Sequence, residues 1–352
     1  MLIRRARLRA SGELRGLHGL IELDGNTVSG ATARLNAATI DWSWRPRSIP
    51  ATEPALVTIT AGLFKIPFGA DVPTADRDRI FLEPGWAARA LFPGNYDGGA
   101  MLAGGWRFAR WQVAITNGAP VGDAQWTGRD PTSAPDLVGR AGIDLELGGV
   151  TARGGLSGLV GTGLHAGTPA TKDQLTWVDA NEDGMVQTTE LGVIPGRPAT
   201  PSETFARSAL GADLAITWCA HPLGHGQAFG EVAIATDLDR AVVVADPVAA
   251  DRSLRELGWQ VGAWQELGRW ARIGVRYDAY RPDRDAREVQ GANVVGVDPR
   301  FTTLAALASL RWREHRATLE YDHERNPLGR GLDGQPTTRG ADRLTARLQV
   351  TW

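Results

Sequence analysis

The chain has 352 residues, a formal net charge of −2, 38 basic against 40 acidic residues and a single cysteine, Cys219. This near balance of charge excludes the basic surface that a nucleic-acid-binding protein needs, so no nucleic acid is expected as a partner. One cysteine excludes an intrachain disulfide and a cysteine metal cluster. No apolar run approaches the roughly 20 residues that a membrane-spanning helix requires. A membrane-spanning β-barrel is not excluded, because its strands alternate apolar and polar residues and contain no long apolar run.

The first nine residues do not form a secretory signal. A signal peptide has a basic segment, an uninterrupted apolar segment and a small-residue cleavage site, whereas here arginines alternate with Ala6, Leu8 and Ala10. This alternation is the period of a strand whose two faces meet different environments. The chain is therefore either a soluble cytoplasmic protein or a barrel whose first residues precede Met1.

Strict alternation of apolar and polar residues recurs along the chain, and few segments show a helical period. Near the C-terminus, Leu344, Ala346 and Leu348 share one face, while Arg343 and Arg347 share the other. Alternation marks strands, and clusters of Gly, Pro, Asn and Asp mark turns. The predicted strands lie at about residues 2–13, 17–24, 31–44, 55–68, 97–105, 107–118, 136–147, 149–161, 204–219, 227–237, 253–267, 269–281, 300–313, 315–325 and 342–352.

The connections between these strands alternate between short turns and long loops, which is typical of an outer-membrane barrel. If the short turns face the periplasm, the first and the last strand both run towards it. The predicted strands number about fifteen, whereas single-chain bacterial barrels have an even number of strands. We therefore expect an all-β, transmembrane antiparallel β-barrel that occupies residues 1–352 as one domain. We also expect that a signal peptide and one strand of a probable total of sixteen precede Met1.

Tryptophans lie near the predicted strand ends, where a barrel meets the boundary between lipid headgroups and hydrocarbon. They are Trp42, Trp44, Trp106, Trp218, Trp270, Trp312 and Trp352. The alternative is a soluble sandwich with tryptophans in its core, but such a fold seldom needs this many strands with such regular loop asymmetry. The pattern favours contact with outer-membrane lipid.

Residues 69–97 form the first long connection and include Phe81, Trp86 and Phe92. A connection of this length exceeds the ordinary range and usually signals a function. We predict that it folds into the barrel as a constriction loop and narrows the pore. The arginines expected at the narrowest point are Arg77, Arg79 and Arg89.

The longest loop, about 162–204, contains a segment that matches the EF-hand calcium-binding template. It reads D-A-N-E-D-G-M-V-Q-T-T-E over residues 179–190. Side-chain oxygens at two-residue steps, a glycine that permits a sharp turn and a final glutamate allow the backbone to curl around Ca²⁺. The predicted ligands are Asp179, Asn181, Asp183, the Met185 carbonyl and Glu190. Ca²⁺ would stabilise this extracellular loop, and the alternative is a solvated acidic turn.

If the apolar residues of each strand meet lipid, the arginines on the opposite face point into the lumen. The predicted pore-lining arginines are Arg5, Arg7, Arg9, Arg272, Arg276, Arg343 and Arg347. A segregated basic wall favours anions. Carboxylates also appear on the inward faces, so a lumen whose charges cancel remains the alternative; they are Glu22, Asp144, Glu146, Asp213, Glu231, Glu320 and Asp322. We expect a modest anion preference.

Motifs for catalysis are weak. The histidines lack a metal spacing such as H-E-x-x-H. Ser309 and His323 lie on neighbouring predicted strands, but a catalytic triad needs geometry that spacing does not supply. The segment 161–163 lacks the strand-to-helix context of a dinucleotide site. We predict that the chain is not an enzyme, and a barrel hydrolase is the distant alternative.

Four segments in the first third of the chain resemble the phosphate-selective porins O and P. Residues 3–8 are similar to the second strand of that family, 63–69 to the strand that leads into its third loop, and 81–83 and 90–94 to the exit from that loop. The resemblance implies a sixteen-stranded channel with an inward third loop, an assembly of three copies, and a strand that precedes the first one predicted here. Phosphate selectivity does not transfer, because the selective members are rich in lysine near the constriction and this chain has only Lys65 and Lys172.

These patterns predict a porin of the bacterial outer membrane, a passive channel for small hydrophilic or anionic solutes. The alternative function is a calcium-stabilised binding or structural barrel whose pore is closed by its loops.

Overall fold

The computed structural model describes residues 6–26, 32–50, 52–126, 131–290, 293–296, 298–313, 315–332 and 336–350. Of the predicted site residues, Arg5 lies outside this range, as does Trp352.

Fifteen strands form one antiparallel sheet in chain order. Its first eight strands are β1 (Ala6–Leu14), β2 (Leu17–Asn26), β3 (Thr32–Trp44), β4 (Val57–Lys65), β5 (Tyr96–Trp106), β6 (Ala109–Thr116), β7 (Asp136–Leu147) and β8 (Val150–His165). After a separate hairpin of β9 (Gln174–Trp177) and β10 (Leu191–Ile194), the sheet continues through β11 (Glu203–Ala220), β12 (Gly224–Thr236), β13 (Arg255–Leu267) and β14 (Ala271–Arg281). A second hairpin, β15 (Arg287–Gln290) with β16 (Asn293–Gly296), precedes β17 (Phe301–Trp312), β18 (His315–Arg330) and β19 (Pro336–Gln349).

The predicted all-β class and the count of fifteen strands are confirmed, and each predicted strand overlaps an observed one. The two small hairpins were not predicted. Within the described part of the chain, β1 and β19 are the edges of the sheet, and neither pairs with a further strand.

Each strand has one apolar face and one face of mixed character. Leu156 is 69% exposed, whereas its neighbour Ser157 is 5% exposed, and Leu210 and Ala209 repeat this contrast at 63% and 3%. The exposed face consists largely of Leu, Ile, Val and Trp. An apolar band of this extent is the surface that a barrel presents to lipid.

The buried core lies on the opposite face, between the strands and the connection from β4 to β5 (residues 66–95). This connection contains the short helix α1 (Trp86–Leu91). Phe68, Val72 and Leu91 from the connection are each 1% exposed and belong to one cluster with side chains from eight strands, including Val138 and Phe301. We call the strand face that this cluster covers the inner face. In the described residues, no helix is long and apolar enough to cross a membrane.

Candidate functional site

The inner face and residues 66–95, which we call the inward loop, form the candidate site. The loop crosses to strands far from its own ends. The backbone N–H groups of Asp71, Leu82 and Trp86 donate to Glu231 on β12, Glu320 on β18 and Asp278 on β14, at 3.0, 2.7 and 3.0 Å. The indole Nε1 of Trp86 also donates to Thr303 Oγ1 on β17, at 2.8 Å. The loop therefore lies across the inner face.

Arginines hold the inward loop at several points. Arg79 is 3% exposed in its side chain and is paired with Asp71 and with Asp76. Burial alone would raise the pKa of Asp71, but the charges of Arg79 and Arg276 outweigh it and lower the pKa below its ordinary value. Asp71 is therefore ionised at neutral pH and holds the Arg79 guanidinium in place.

The two edge strands of the sheet both contact the loop near Asp76. Arg7 on β1 is paired with the Asp76 carboxylate. Arg347 on β19 donates to the carbonyl oxygens of Asp76 and Arg79, at 2.8 and 2.9 Å. Sequence reasoning missed Asp76, because its only signal is its position inside the predicted constriction loop.

A second connection, residues 237–254 between β12 and β13, also turns inward. Arg240 pairs with Asp136 at 3.1 Å, and Asp136 pairs with Arg207 at 3.0 Å. Both arginines donate to the Gly118 carbonyl. Gly118 has a φ of +79°, and a side chain there would collide with Arg207 and Asp136, so only glycine fits. No sequence pattern indicated this buried cluster.

Two cavities lie beside the inward loop. One has a volume of about 890 Å³ and lies along β1–β5 and β19. Its charged lining is Arg7, Arg9, Glu22, Asp41, Lys65, Asp76, Arg77, Glu83 and Arg347, together with His18. The other has a volume of about 510 Å³ and lies against β6–β8 and β11–β14. Its charged lining is Asp71, Asp78, Arg79, Arg140, Arg153, Asp213, Glu231 and Arg276.

Most of the predicted pore-lining arginines have a carboxylate partner. Arg343 contacts Asp322 and Glu324 at 2.9 and 3.1 Å. Arg272 contacts Glu266 at 3.1 Å. Arg7 also contacts Glu22 and Asp24, at 3.5 and 3.4 Å. Arg276 contacts Asp278 at 3.3 Å. Arg9 and Arg347 have no carboxylate within 4.0 Å in the described part of the chain.

The three arginines predicted at the constriction lie in different surroundings. The side chain of Arg77 is 63% exposed and lies 3.5 Å from Asp78. Arg79 is buried against Asp71, as described above. Arg89 lies over the Trp86 ring, with its guanidinium carbon 4.0 Å from the ring centroid and a nitrogen 3.7 Å from Glu324.

The segment 179–190 forms a tight exposed turn. Both carboxylate oxygens of Asp179 accept backbone N–H groups, from Asp183 at 3.1 Å and Gly184 at 2.8 Å. The carboxylate of Glu190 accepts from Trp177 Nε1 and from the Ala180 backbone, at 3.0 and 3.1 Å. Among the described residues, no three His, Cys, Asp or Glu side chains converge on a point that could hold a metal ion. The carboxylates of Asp179 and Glu190 therefore accept hydrogen bonds from protein donors, and calcium binding by this segment stays a prediction.

The fold and the inward loop define a class, the barrel fold of outer-membrane channels. No protein-family model matches the chain, and no curated protein matches it. Solved structures do match. The outer membrane channel DcaP of Acinetobacter baumannii has a TM-score of 0.55 and 11% identity, over 97% of this chain and 83% of that chain. OmpT folded in vitro, an outer membrane protein of Vibrio cholerae, has a TM-score of 0.50 and 8% identity, over 98% of this chain and 90% of that chain.

These structures confirm the predicted antiparallel β-barrel. At such low identity, the likeness concerns the fold. The more specific resemblance to phosphate-selective porins stays a prediction.

Proposed function

We propose that the chain is a passive channel of the bacterial outer membrane, with a modest preference for small hydrophilic anions. Its fold is that of outer-membrane channels, and the apolar outer face of the sheet suits the lipid of that membrane. Solutes would cross through the space that the inward loop leaves open.

The lining of the larger cavity is the observation that carries this proposal. The lining of the larger cavity includes five arginine or lysine side chains and four carboxylates. The lining of the smaller cavity includes four arginines and four carboxylates. A wide wet lumen screens each charge beyond roughly 8 Å at physiological salt, so a small excess of positive charge produces a weak preference. Phosphate specificity is not proposed.

Liposome swelling tests the channel function. Proteoliposomes should swell in solutions of small uncharged sugars and of small organic anions at rates that fall with solute size. Empty liposomes prepared in parallel are the control. Absence of swelling with correctly folded protein would contradict a channel.

The alternative function is a binding or structural barrel that is stabilised by calcium and closed by its loops. The two inward connections and their buried contacts favour it, because they occupy much of the inner face. A folded protein that binds Ca²⁺ and does not conduct would support this alternative. Calcium at residues 179–190, an assembly of three copies and the lack of enzymatic activity all stay predictions.

A further inference from the structure

Three arginines form a patch on the inner face near the short turns, on β14, β17 and β18. Arg311 lies directly opposite Arg316 across the β17–β18 pair, and Arg272 lies opposite Ser309 on β17. Ser309 and Thr318 are both buried, with their hydroxyl oxygens 3.0 Å apart. Residues two apart share a strand face, so Arg311 and Arg316 point to the same side as this pair. We call Arg272, Arg311 and Arg316 the basic patch.

The positive charge of the basic patch is poorly balanced. Arg272 pairs with Glu266 at 3.1 Å. In the ranges that the structure describes, Arg311 and Arg316 have no carboxylate within 4.0 Å. Arg272, Arg311 and Arg347 all repel the charge of Arg316, and Glu266 attracts it. Strands are separated by about 4.8 Å, so one anion can reach more than one of these guanidinium groups.

An apolar surface adjoins the patch on the same face. Trp264 on β13 is half-buried, and the Arg272 guanidinium carbon lies 4.2 Å from the centroid of its ring. Phe229 lies further from the patch, over Gly262, and packs against Phe81 of the inward loop with 6.0 Å between the ring centroids. Aromatic rings are uncommon partners for a purely hydrated ion, because contact with them gains energy mainly from apolar surface.

We propose that the basic patch and Trp264 form a binding subsite for organic carboxylates that carry an apolar body. The planar forks of Arg311 and Arg316 bind the carboxylate through paired hydrogen bonds. The apolar body lies against Trp264, beside the Arg272 guanidinium. This inference rests on the proposed channel function and specifies which of the small anions the lumen retains longest.

Calorimetry on the folded protein in detergent tests the subsite without requiring conduction. Benzoate and acetate carry the same charged group, and only benzoate carries an apolar ring. Benzoate should therefore bind more tightly than acetate. The Arg316→Gln variant should weaken benzoate binding by about tenfold, the usual effect of losing one charge-assisted hydrogen bond. Arg311→Gln should act in the same direction and serves as a second, independent variant.

The matched control is Arg313→Gln, which makes the same charge change in the adjacent turn. Arg313 is exposed and lies outside the patch, with its guanidinium carbon 5.3 Å from the centroid of the Trp312 ring. Its benzoate affinity should equal that of the parent protein. Unchanged binding in both Arg316→Gln and Arg311→Gln would overturn the patch, and equal affinity for acetate and benzoate would overturn the apolar part. A parent protein that conducts but does not bind benzoate removes the subsite and leaves the channel function standing. A parent protein that binds benzoate but does not conduct removes the channel function instead.

Discussion

At the scale of single residues, the inner face is a set of ion pairs with a few unmatched arginines. Arg140 donates to both carboxylate oxygens of Asp213, at 3.0 and 2.5 Å, across the strand that separates them. Such bidentate pairs fix the positions of both side chains and cancel their charges. In the proposed channel, ion selectivity would therefore depend on the arginines that have no carboxylate within 4.0 Å among the described residues, such as Arg9 and Arg347.

The pair of Asp71 and Arg79 gives a pH-dependent prediction. Asp71→Asn removes the charge that holds Arg79, so the inward loop should loosen and open-channel current noise should rise at pH 7. The folded-state pKa of Asp71 lies below the ordinary 3.8. Its stabilising effect is therefore complete above that value and is lost as the pH falls through the folded-state pKa. Bilayer recordings should show a difference between parent and variant that persists from pH 7 down to the ordinary value of 3.8 and narrows only below it. Convergence of parent and variant above that pH would contradict the assignment.

Arg7 and Arg9, on the edge strand β1, give a prediction for ion selectivity. Replacing Arg7 and Arg9 with Gln removes two positive charges from the larger cavity and leaves Glu22 and Asp76 less compensated. The reversal potential in a KCl gradient should move towards cation selectivity. Arg45→Gln is the control, since Arg45 lies outside both cavity linings and donates to the Glu53 carbonyl. No movement in the Arg7 and Arg9 variant would show that these side chains do not face the permeation path.

Among the elements, the inward loop is the part of the proposed channel that would set how much of the lumen is open. Two hydrogen bonds tie its helix α1 to other elements. The Trp86 Nε1 donates to Thr303 Oγ1 on β17, and the Arg240 backbone N–H donates to the Ala90 carbonyl at 2.9 Å. Deleting about ten residues around Trp86 should raise single-channel conductance, because the pore widens. Deleting residues 180–189 from the exposed loop is a control of similar length and should leave conductance unchanged. Unchanged conductance in the Trp86 deletion, with folding intact, would place the loop outside the pore.

The loop at 179–190 gives a prediction for calcium. Glu190→Gln removes a charge and weakens bidentate coordination, so calorimetric Ca²⁺ binding should fall sharply while the barrel still assembles. Glu182→Gln makes the same change at a position that the template does not use, and it should retain the affinity of the parent protein. Equal affinity in the Glu190 variant and the parent protein would eliminate the site.

The sequence predicted the strands well, because alternation is a local property and each strand carries its own apolar face. It predicted the inner-face contacts poorly, because the partners are far apart along the chain. Arg347 and Asp76 are 271 residues apart, and Arg276 reaches the carbonyl of Glu83 across 193 residues. The inward turn of residues 237–254 also has no local pattern, since the Arg240 side chain contacts Asp136 and Gly118, which are 104 and 122 residues away along the chain.

At the scale of the whole molecule, one sheet presents an apolar band outwards and a largely paired set of charges inwards. The band suits residence in a lipid membrane, and in the proposed channel the inner face would line a hydrated path that the inward loop narrows. Because positive and negative charges nearly balance on the linings of the two cavities, we expect weak selection by charge. Selection among anions then depends on local surfaces such as the basic patch beside Trp264.

Recording from the purified protein in a planar lipid bilayer under a KCl gradient tests whether the chain forms a weakly anion-selective channel. We expect discrete conductance steps and a reversal potential with the sign of a weak anion preference. Absence of steps with folded protein inserted in the bilayer, or a cation-selective reversal potential, would contradict it.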